Sequence, residues 1–473
     1  MRRIAHKLAA MLLASVAAGA CTVGPDYVKP VVVTPPVFRG QPVMADAGSL
    51  ADLPWWSVFN DKALQDLITK AMQNNYDIKI AVARIEQARA AVGIAQAQGK
   101  LQLNYRGFGG TEQTFVPAPG SAETLNFSTF GAIADAAWEA DVWGRIRRAT
   151  ESAQADLLTQ EDIRRGVMLT LVSDLAANYF RLTELDREFA IAQESSKVFK
   201  QTLDLFTLRF EAGRDSRLPV DRAQAAYDSS SSRIADLKRA IAQEENAISV
   251  LAGDYPKAID RGLPLVEQSM PETLLGSTTA LLQRRPDILA AEANMIGANA
   301  EIGLAVADYF PKIGISSLLG GLVAGIGGVW NTLAVWNLAV GAAGPIYSGG
   351  RLHETYLQRQ AYWDETVATY RKTVLTAFQE TSDALVAQQN LIDQRAALER
   401  QVAALRRSND LALDRYDGGR ASYFEVLEAQ QLLFPAEDAL AQTQRDQLLA
   451  VVRLYKALGG GWNYTPEQWS RPQ

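Results

Sequence analysis

The chain of 473 residues is one pattern written twice. Gly144-Arg145 recurs as Gly350-Arg351, and Leu169-Thr170 as Leu375-Thr376. Arg209-Phe210-Glu211-Ala212-Gly213-Arg214 recurs as Arg415-Tyr416-Asp417-Gly418-Gly419-Arg420. Ser216, Val220, Ala223 and Gln224 return as Ser422, Val426, Ala429 and Gln430, always 206 residues later. Upstream, Asp77-Ile78 matches Asp287-Ile288 and Gly93 matches Gly303 at an interval of 210, so the first copy carries four extra residues in between. Self-similarity at a fixed interval means one structural unit used twice.

The longest part of each unit has no helix breaker. Arg145 to Glu211 and Arg351 to Asp417 are each 67 residues without proline. As helices they would reach about 100 Å, far beyond an ordinary globular helix. The distal half of the first carries Leu182, Leu185, Phe189, Ala192, Ser196, Phe199, Leu203, Phe206 and Phe210 at alternating three- and four-residue steps, a heptad seam. Gly213 stops it. A return helix repeats the phase through Val220, Ala223, Tyr227, Ser230, Ile234, Leu237, Ile241, Glu244, Ile248 and Leu251. The two make an antiparallel coiled-coil hairpin turning at Gly213 to Ser216, with left-handed supercoiling. Gly418-Gly419 makes the equivalent turn in the second copy. A plain coiled-coil rod would satisfy this pattern alone.

Each long helix is preceded by strand-like sequence. Leu101, Leu103 and Tyr105 alternate with Gln102, Asn104 and Arg106. A polar loop is expected from Thr111 to Glu123 and a second strand from Asn126 to about Trp138. In the second copy, strands are expected at Lys312 to Gly320 and about Leu333 to Ala343, flanking Gly-rich residues Gly321 to Gly328. Helical stretches precede both pairs, at Asp77 to Gly99 and Asp287 to Tyr309. Four strands cannot close a barrel, and lipid tolerates strands only in closed barrels. Copies must therefore pool strands, and an open passage needs three chains or more, because eight strands enclose a filled interior.

The N-terminus reads as an export signal. Arg2, Arg3 and Lys7 precede the short apolar run Leu8 to Val16, and small residues lead to Cys21. Ala18-Gly19-Ala20-Cys21 is similar to a lipobox, whose cysteine is acylated and becomes the new N-terminus, although Leu is absent at Ala18. Thr22 follows Cys21, which by similarity to bacterial lipoproteins favours the outer membrane. Cys21 is the only cysteine, so no intrachain disulfide forms. The formal charge is −6, an acidic balance that argues against nucleic acid. Only His353 remains beyond the signal, so neither a His/Cys metal cluster nor a Ser-His-Asp constellation is supported. No enzyme, cofactor or metal site is expected. Gly349-Gly350-Arg351 lacks the Lys and Ser/Thr of a phosphate loop.

Together these residues resemble the TolC-like outer-membrane factor family, in its lipidated, multidrug-efflux branch of NodT/OprM-like outer-membrane lipoproteins. The resemblance covers nearly the whole mature chain. It is carried by Cys21-Thr22-Val23-Gly24-Pro25-Asp26-Tyr27, Trp55-Trp56-Ser57-Val58-Phe59 with Asp61, and Arg284-Arg285-Pro286-Asp287-Ile288 with Ala291-Glu292. Phe310-Pro311, Arg415-Tyr416 through Leu427-Glu428-Ala429-Gln430, and Tyr455-Lys456-Ala457-Leu458-Gly459-Gly460-Gly461-Trp462 complete it.

The resemblance implies an α+β membrane protein: a homotrimer with a twelve-stranded β-barrel continuous with a long periplasmic α-helical barrel of coiled-coil hairpins. It divides the chain into a signal peptide (1–20), a lipidated extended segment (21–60), a first repeat (61–254; strands about 101–140, hairpin 145–251), an equatorial linker (255–285), a second repeat (286–458; strands about 312–343, hairpin 351–458) and a C-terminal tail (459–473). The implied function is a passive outer-membrane exit duct for small molecules such as drugs. Its partners are a periplasmic adaptor, an inner-membrane pump and outer-membrane lipid. Protein secretion and metal export are alternative cargoes, and a periplasmic coiled-coil adaptor is an alternative class.

Carried over residue by residue, the entrance gate falls on Phe424, Glu425 and Glu428, with Tyr416 and Arg420 nearby. Glu425 and Glu428 are three apart and share a helix face. Three copies would ring the entrance with carboxylates that favour cations. The adaptor-contact tips are Gly213, Arg214 and Ser216, and Gly419 and Ser422. Some relatives carry Asp in place of Glu425 and Glu428 and a basic residue in place of Ala421, and some an acidic or hydroxyl residue in place of Leu218 and Pro219, so different latches are expected, from Arg214, Arg217, Arg222, Tyr416 and Arg420. Trp55 and Trp56 are expected to pack in the equatorial region. Tyr105, Phe127, Phe130, Trp138 and Trp336 are candidates for an interfacial belt, their facing left open by the sequence.

Overall fold

After an additional opening helix in the first copy, the two copies lay down the same elements in the same order. The computed structural model describes residues 22–40, 49–118, 121–271, 277–326 and 329–460; Cys21, the signal and Gly461-Trp462 lie outside the described residues. The first copy gives α1 (Lys62–Asn74), α2 (Tyr76–Ala97), β1 (Gln102–Ala118), β2 (Ser121–Ala140), α3 (Arg145–Glu211) and α4 (Arg217–Leu251). The second gives α5 (Pro286–Ala307), β3 (Lys312–Ile326), β4 (Val329–Ala343), α6 (Arg351–Asp417) and α7 (Tyr423–Ala457). Helices α3 and α6 are both 67 residues long.

Both long helices stop in the same way. Gly213 and Gly419 adopt φ of +69° and +68°. The amide of Arg214 donates to the Arg209 carbonyl and that of Gly213 to Phe210, at 2.8 and 2.9 Å. Arg420 to Arg415 and Gly419 to Tyr416 repeat this at 2.8 and 2.9 Å. This Schellman cap needs a left-handed residue, which glycine adopts without a steric cost.

The chain folds as two compact units, and neither is one sequence copy. Each takes matching pieces of both: Arg84–Glu161 with Ala290–Tyr370 in the first, Asp162–Leu289 with Arg371–Gln473 in the second.

The first unit holds a four-stranded antiparallel sheet in the order β1-β2-β3-β4. Its strands are longer than the sequence suggests. The expected loop from Thr111 to Glu123 is mostly strand, paired from Thr111↔Ser128 to Ala118↔Ser121. Likewise Gly321 to Ile326 stays in β3, paired with β4. Polar and glycine residues look like loop where a strand needs no core beneath it; cross-strand backbone pairing holds them instead.

Register sorts the side chains into two unlike faces. Tyr105 pairs with Ala134, Ala134 with Leu319 and Leu319 with Trp336. Trp138, Ile315 and Val340 form a parallel row on the same face. Phe130 and Trp330 meet there at 6.0 Å. Tyr105 is 92% exposed and Trp336 76%, so this apolar face is uncovered within the chain. The opposite face carries Gln102, Asn104, Arg106, Asp135, Ser316 and Asn337, with Asn104 donating to Asp135 at 3.0 Å. Four of the five candidate belt aromatics thus share the apolar face, and Phe127, paired with Ile326, lies on the other.

The N-terminal segment threads the same unit. Buried Arg148 donates to the carbonyls of Val23 and Pro25 and pairs with Asp26 at 3.1 Å. A Cβ on Gly24 would come within 2.4 Å of the Gly303 Cα, so only glycine permits this approach.

In the second unit the heptad seam is the core. Leu182, Leu185, Ala192, Phe199, Leu203 and Phe206 are buried on α3, and Ala223, Leu237 and Ile248 on α4. Trp55 is buried, and the side chain of Trp56 lies outside the described residues. Asp61 is fully buried and sets the start of α1. Its carboxylate accepts from the Ala63 and Leu64 amides, the Tyr179 hydroxyl, the Leu263 amide and the Gln268 side chain. Burial pushes the Tyr179 hydroxyl well above its ordinary pKa. Asp61→Ala strands these buried donors and should cost about 3 kcal/mol or more, read as a lowered denaturant midpoint of the helical unit. An unchanged midpoint would show that the node is not structural.

Candidate functional site

The two hairpin tips meet in the second unit, where Tyr423 sits between the copies. Its ring packs edge-on against Phe206 of α3 and Tyr416 of α6, both at 5.0 Å. Its hydroxyl bonds Thr202, and burial raises its pKa. The Arg209 guanidinium lies 5.5 Å from the Tyr416 ring centre. The Tyr416 hydroxyl is buried without a hydrogen-bond partner. Arg209, Tyr416, Tyr423 and Phe206 thus form a cation–aromatic stack across the two hairpins.

The expected gate residues follow Tyr423 directly, in the first two turns of α7. Phe424 is 54% exposed, with the Arg222 guanidinium of α4 at 5.5 Å from its ring centre. Glu425 is exposed and pairs with Arg415 at 3.7 Å. Glu428 is exposed. Leu427, between them on the buried face, packs with Phe199 and Ala226. The sequence alternation therefore turns Leu427 inward and leaves Phe424, Glu425 and Glu428 outward. A groove of about 640 Å³ lies beside Phe424, with Phe199 and Phe434 among its walls.

The expected tip residues Gly213, Arg214, Ser216, Gly419 and Ser422 are all exposed, and so is Arg420, expected beside the gate. Ser216 and Ser422 precede their helices without a side-chain capping bond. The sequence reading put Tyr416 and Arg222 among candidate latches, and both make cross-copy contacts. It missed Tyr423 and Arg209. A signal existed for Tyr423: it occupies the place of Arg217 in the first copy, a departure from the repeat at its most repetitive point. His353 is exposed near the start of α6.

An antiparallel sheet with one apolar and one polar face, followed by paired coiled-coil hairpins, is the architecture of an outer-membrane channel subunit. The chain belongs to the outer membrane efflux protein family, whose model matches residues 67–254 and 278–460. It is similar to the toluene efflux pump outer membrane protein TtgC of Pseudomonas putida, 32% identical over 457 residues, covering 94% of this chain and 93% of that one. It is also similar to the cation efflux system protein CusC of Escherichia coli, 29% identical over 447 residues, covering 93% and 96%. Among solved structures, the outer-membrane channel OprN superposes with a TM-score of 0.81 at 27% identity over 94% of this chain and 100% of that one. The open state of the MtrE outer membrane channel of Neisseria gonorrhoeae gives 0.81 at 26% identity over 93% and 99%. The protein is an outer-membrane efflux protein.

Tyr423→Ala removes a ring held from both copies. Hydrogen exchange at 203–214 and 413–424 should accelerate at least tenfold, in line with roughly 3 kcal/mol of lost packing. Unaltered exchange would show that the stack does not hold the tips together.

Proposed function

We propose that three copies of this chain form the passive exit duct of a tripartite efflux system, and that Phe424, Glu425 and Glu428 line its periplasmic entrance. The observation that carries this is the sheet: four strands with two unpaired edges and one uncovered apolar face. In lipid every strand edge must be paired. Strands β1 and β4 run in opposite directions, because three antiparallel pairings separate them. The β4 edge of one copy therefore meets the β1 edge of the next antiparallel, and a ring closes by rotation alone. Two copies would give an interior filled by side chains; three give a passage.

On this reading the apolar face meets lipid, with Tyr105, Phe130, Trp138, Trp330 and Trp336 on it, and the polar face lines the lumen. Acylated Cys21 anchors the chain to the outer membrane. The Arg148 grip on Val23, Pro25 and Asp26 supports this, because it ties the residues next to the anchor to the start of α3. The exposed tips at Gly213 to Ser216 and Gly419 to Ser422 receive the periplasmic adaptor, which joins the duct to an inner-membrane pump. The duct does no chemistry. A phenyl ring and two carboxylates from each copy would make an entrance that favours cationic and neutral small molecules over anions.

Phe424→Ala/Glu425→Ala/Glu428→Ala should raise single-channel conductance in planar bilayers several-fold and lower the cation-to-anion permeability ratio. Equal conductance and selectivity in both proteins would remove these residues from the entrance. An absence of conductance from verified outer-membrane trimers of either protein would contradict the duct.

A further inference from the structure

Away from the tips, the two hairpins are joined through buried carboxylates. Glu184 and Glu188 of α3 have side chains only 3% exposed. Glu188 accepts from Gln442 of α7 at 2.7 Å and from Arg233 of α4 at 2.6 Å, so one carboxylate ties three helices. Glu184, one turn earlier, faces Arg445 of α7 at 3.2 Å. It also lies one turn from Glu188 on the same helix, and the nearby Glu188 carboxylate strengthens its hold on a proton. Asp438, one turn before Gln442 on α7, has Oδ1 buried without a hydrogen-bond partner and faces Glu188.

Positive charge does not balance this set. Arg233 also serves Asp236 at 3.5 Å, and Arg445 also serves Asp446 at 2.8 Å. Arg187 of α3 adds a further positive charge facing Asp438. Helix α6 supplies no free charge to the set: Arg406 is engaged by Glu437 at 2.5 Å, and Arg395 by Glu399 at 2.8 Å and Gln447 at 3.2 Å. On α4, Glu244 is opposed by Arg181 at 3.4 Å. Of the three guanidiniums that face these carboxyls, Arg233 and Arg445 are already shared with Asp236 and Asp446.

We propose that Glu184, Glu188 and Asp438 form a proton-operated clasp between the two hairpins, which tightens when it takes up a proton and loosens when it loses one. The direction follows from burial. Burial raises the Glu184 carboxyl to about 7 against the pull of Arg445, with Glu188 adding to the rise. Burial likewise raises Asp438 to about 6, again with Glu188 contributing. Both groups hold protons more tightly in the packed arrangement than in solvent. Their contribution is present below their ordinary range and is lost as pH climbs through about 6 and 7. The clasp thus closes in acid, the reverse of carboxylates held by salt bridges alone.

The clasp does not rest on the duct reading, because its test does not read conductance. Hydrogen exchange is measured on the full-length protein in lipid nanodiscs at about pH 5.5 and pH 8, with rates corrected for intrinsic chemistry. Protection in segments 184–192 and 436–447 should be roughly tenfold or more higher in acid. Glu184→Gln/Asp438→Asn imitates the protonated state and should be protected equally at both pH values. A flat wild type, or a variant that keeps the full wild-type response, overturns the clasp. Should the variant not assemble, infrared difference spectra of the wild type decide. A protonated-carboxyl band lost between those pH values supports the clasp, and the absence of such a band overturns it.

Discussion

The backbone of β1 and β4 sets the terms for the rest of the molecule. Each has one edge paired inside the chain and one that is not. In water such an edge is a liability, and in lipid it is forbidden. The same sheet leaves a continuous apolar face bare, with Tyr105 and Trp336 almost fully exposed. Both defects have one remedy, closure with further copies in a membrane. On the proposed reading, neighbouring copies complete each protomer.

The helical unit answers a different demand. A coiled-coil seam at alternating three- and four-residue steps gives long helices a core without a globular layer beneath them. Seams alone do not hold two hairpins together. The aromatic stack around Tyr423 does so at the tips, and the carboxylates around Glu188 further along. These cross-links differ in kind. Ring stacking barely responds to pH, whereas carboxyls short of counter-charge do. One end of the assembly is thus pinned by shape and another part by protonation.

Much of this was legible from the residues. Helix lengths and stops were, because proline is absent over long stretches and because Gly213 and Gly419 mark turns that other residues resist. The strand ends were not. Thr111 to Glu123 and Gly321 to Gly328 look like loops, since polarity and glycine usually signal them, but a barrel strand is held by its neighbours' backbones. Which face an aromatic occupies depends on register, so Phe127 could not be separated from Phe130 before pairing was known. Positions Phe424, Glu425 and Glu428 came from family resemblance, and the structure adds their outward facing. Tyr423 and the Glu184–Glu188 pair needed three dimensions, because the cross-copy partners Thr202 and Gln442 lie 221 and 254 residues away in sequence.

Stoichiometry tests the central claim most directly. Native mass spectrometry of the full-length protein released from lipid nanodiscs should give a single species of three times the protomer mass. A stable monomer or a closed dimer would contradict the shared barrel and everything inferred from its open edges.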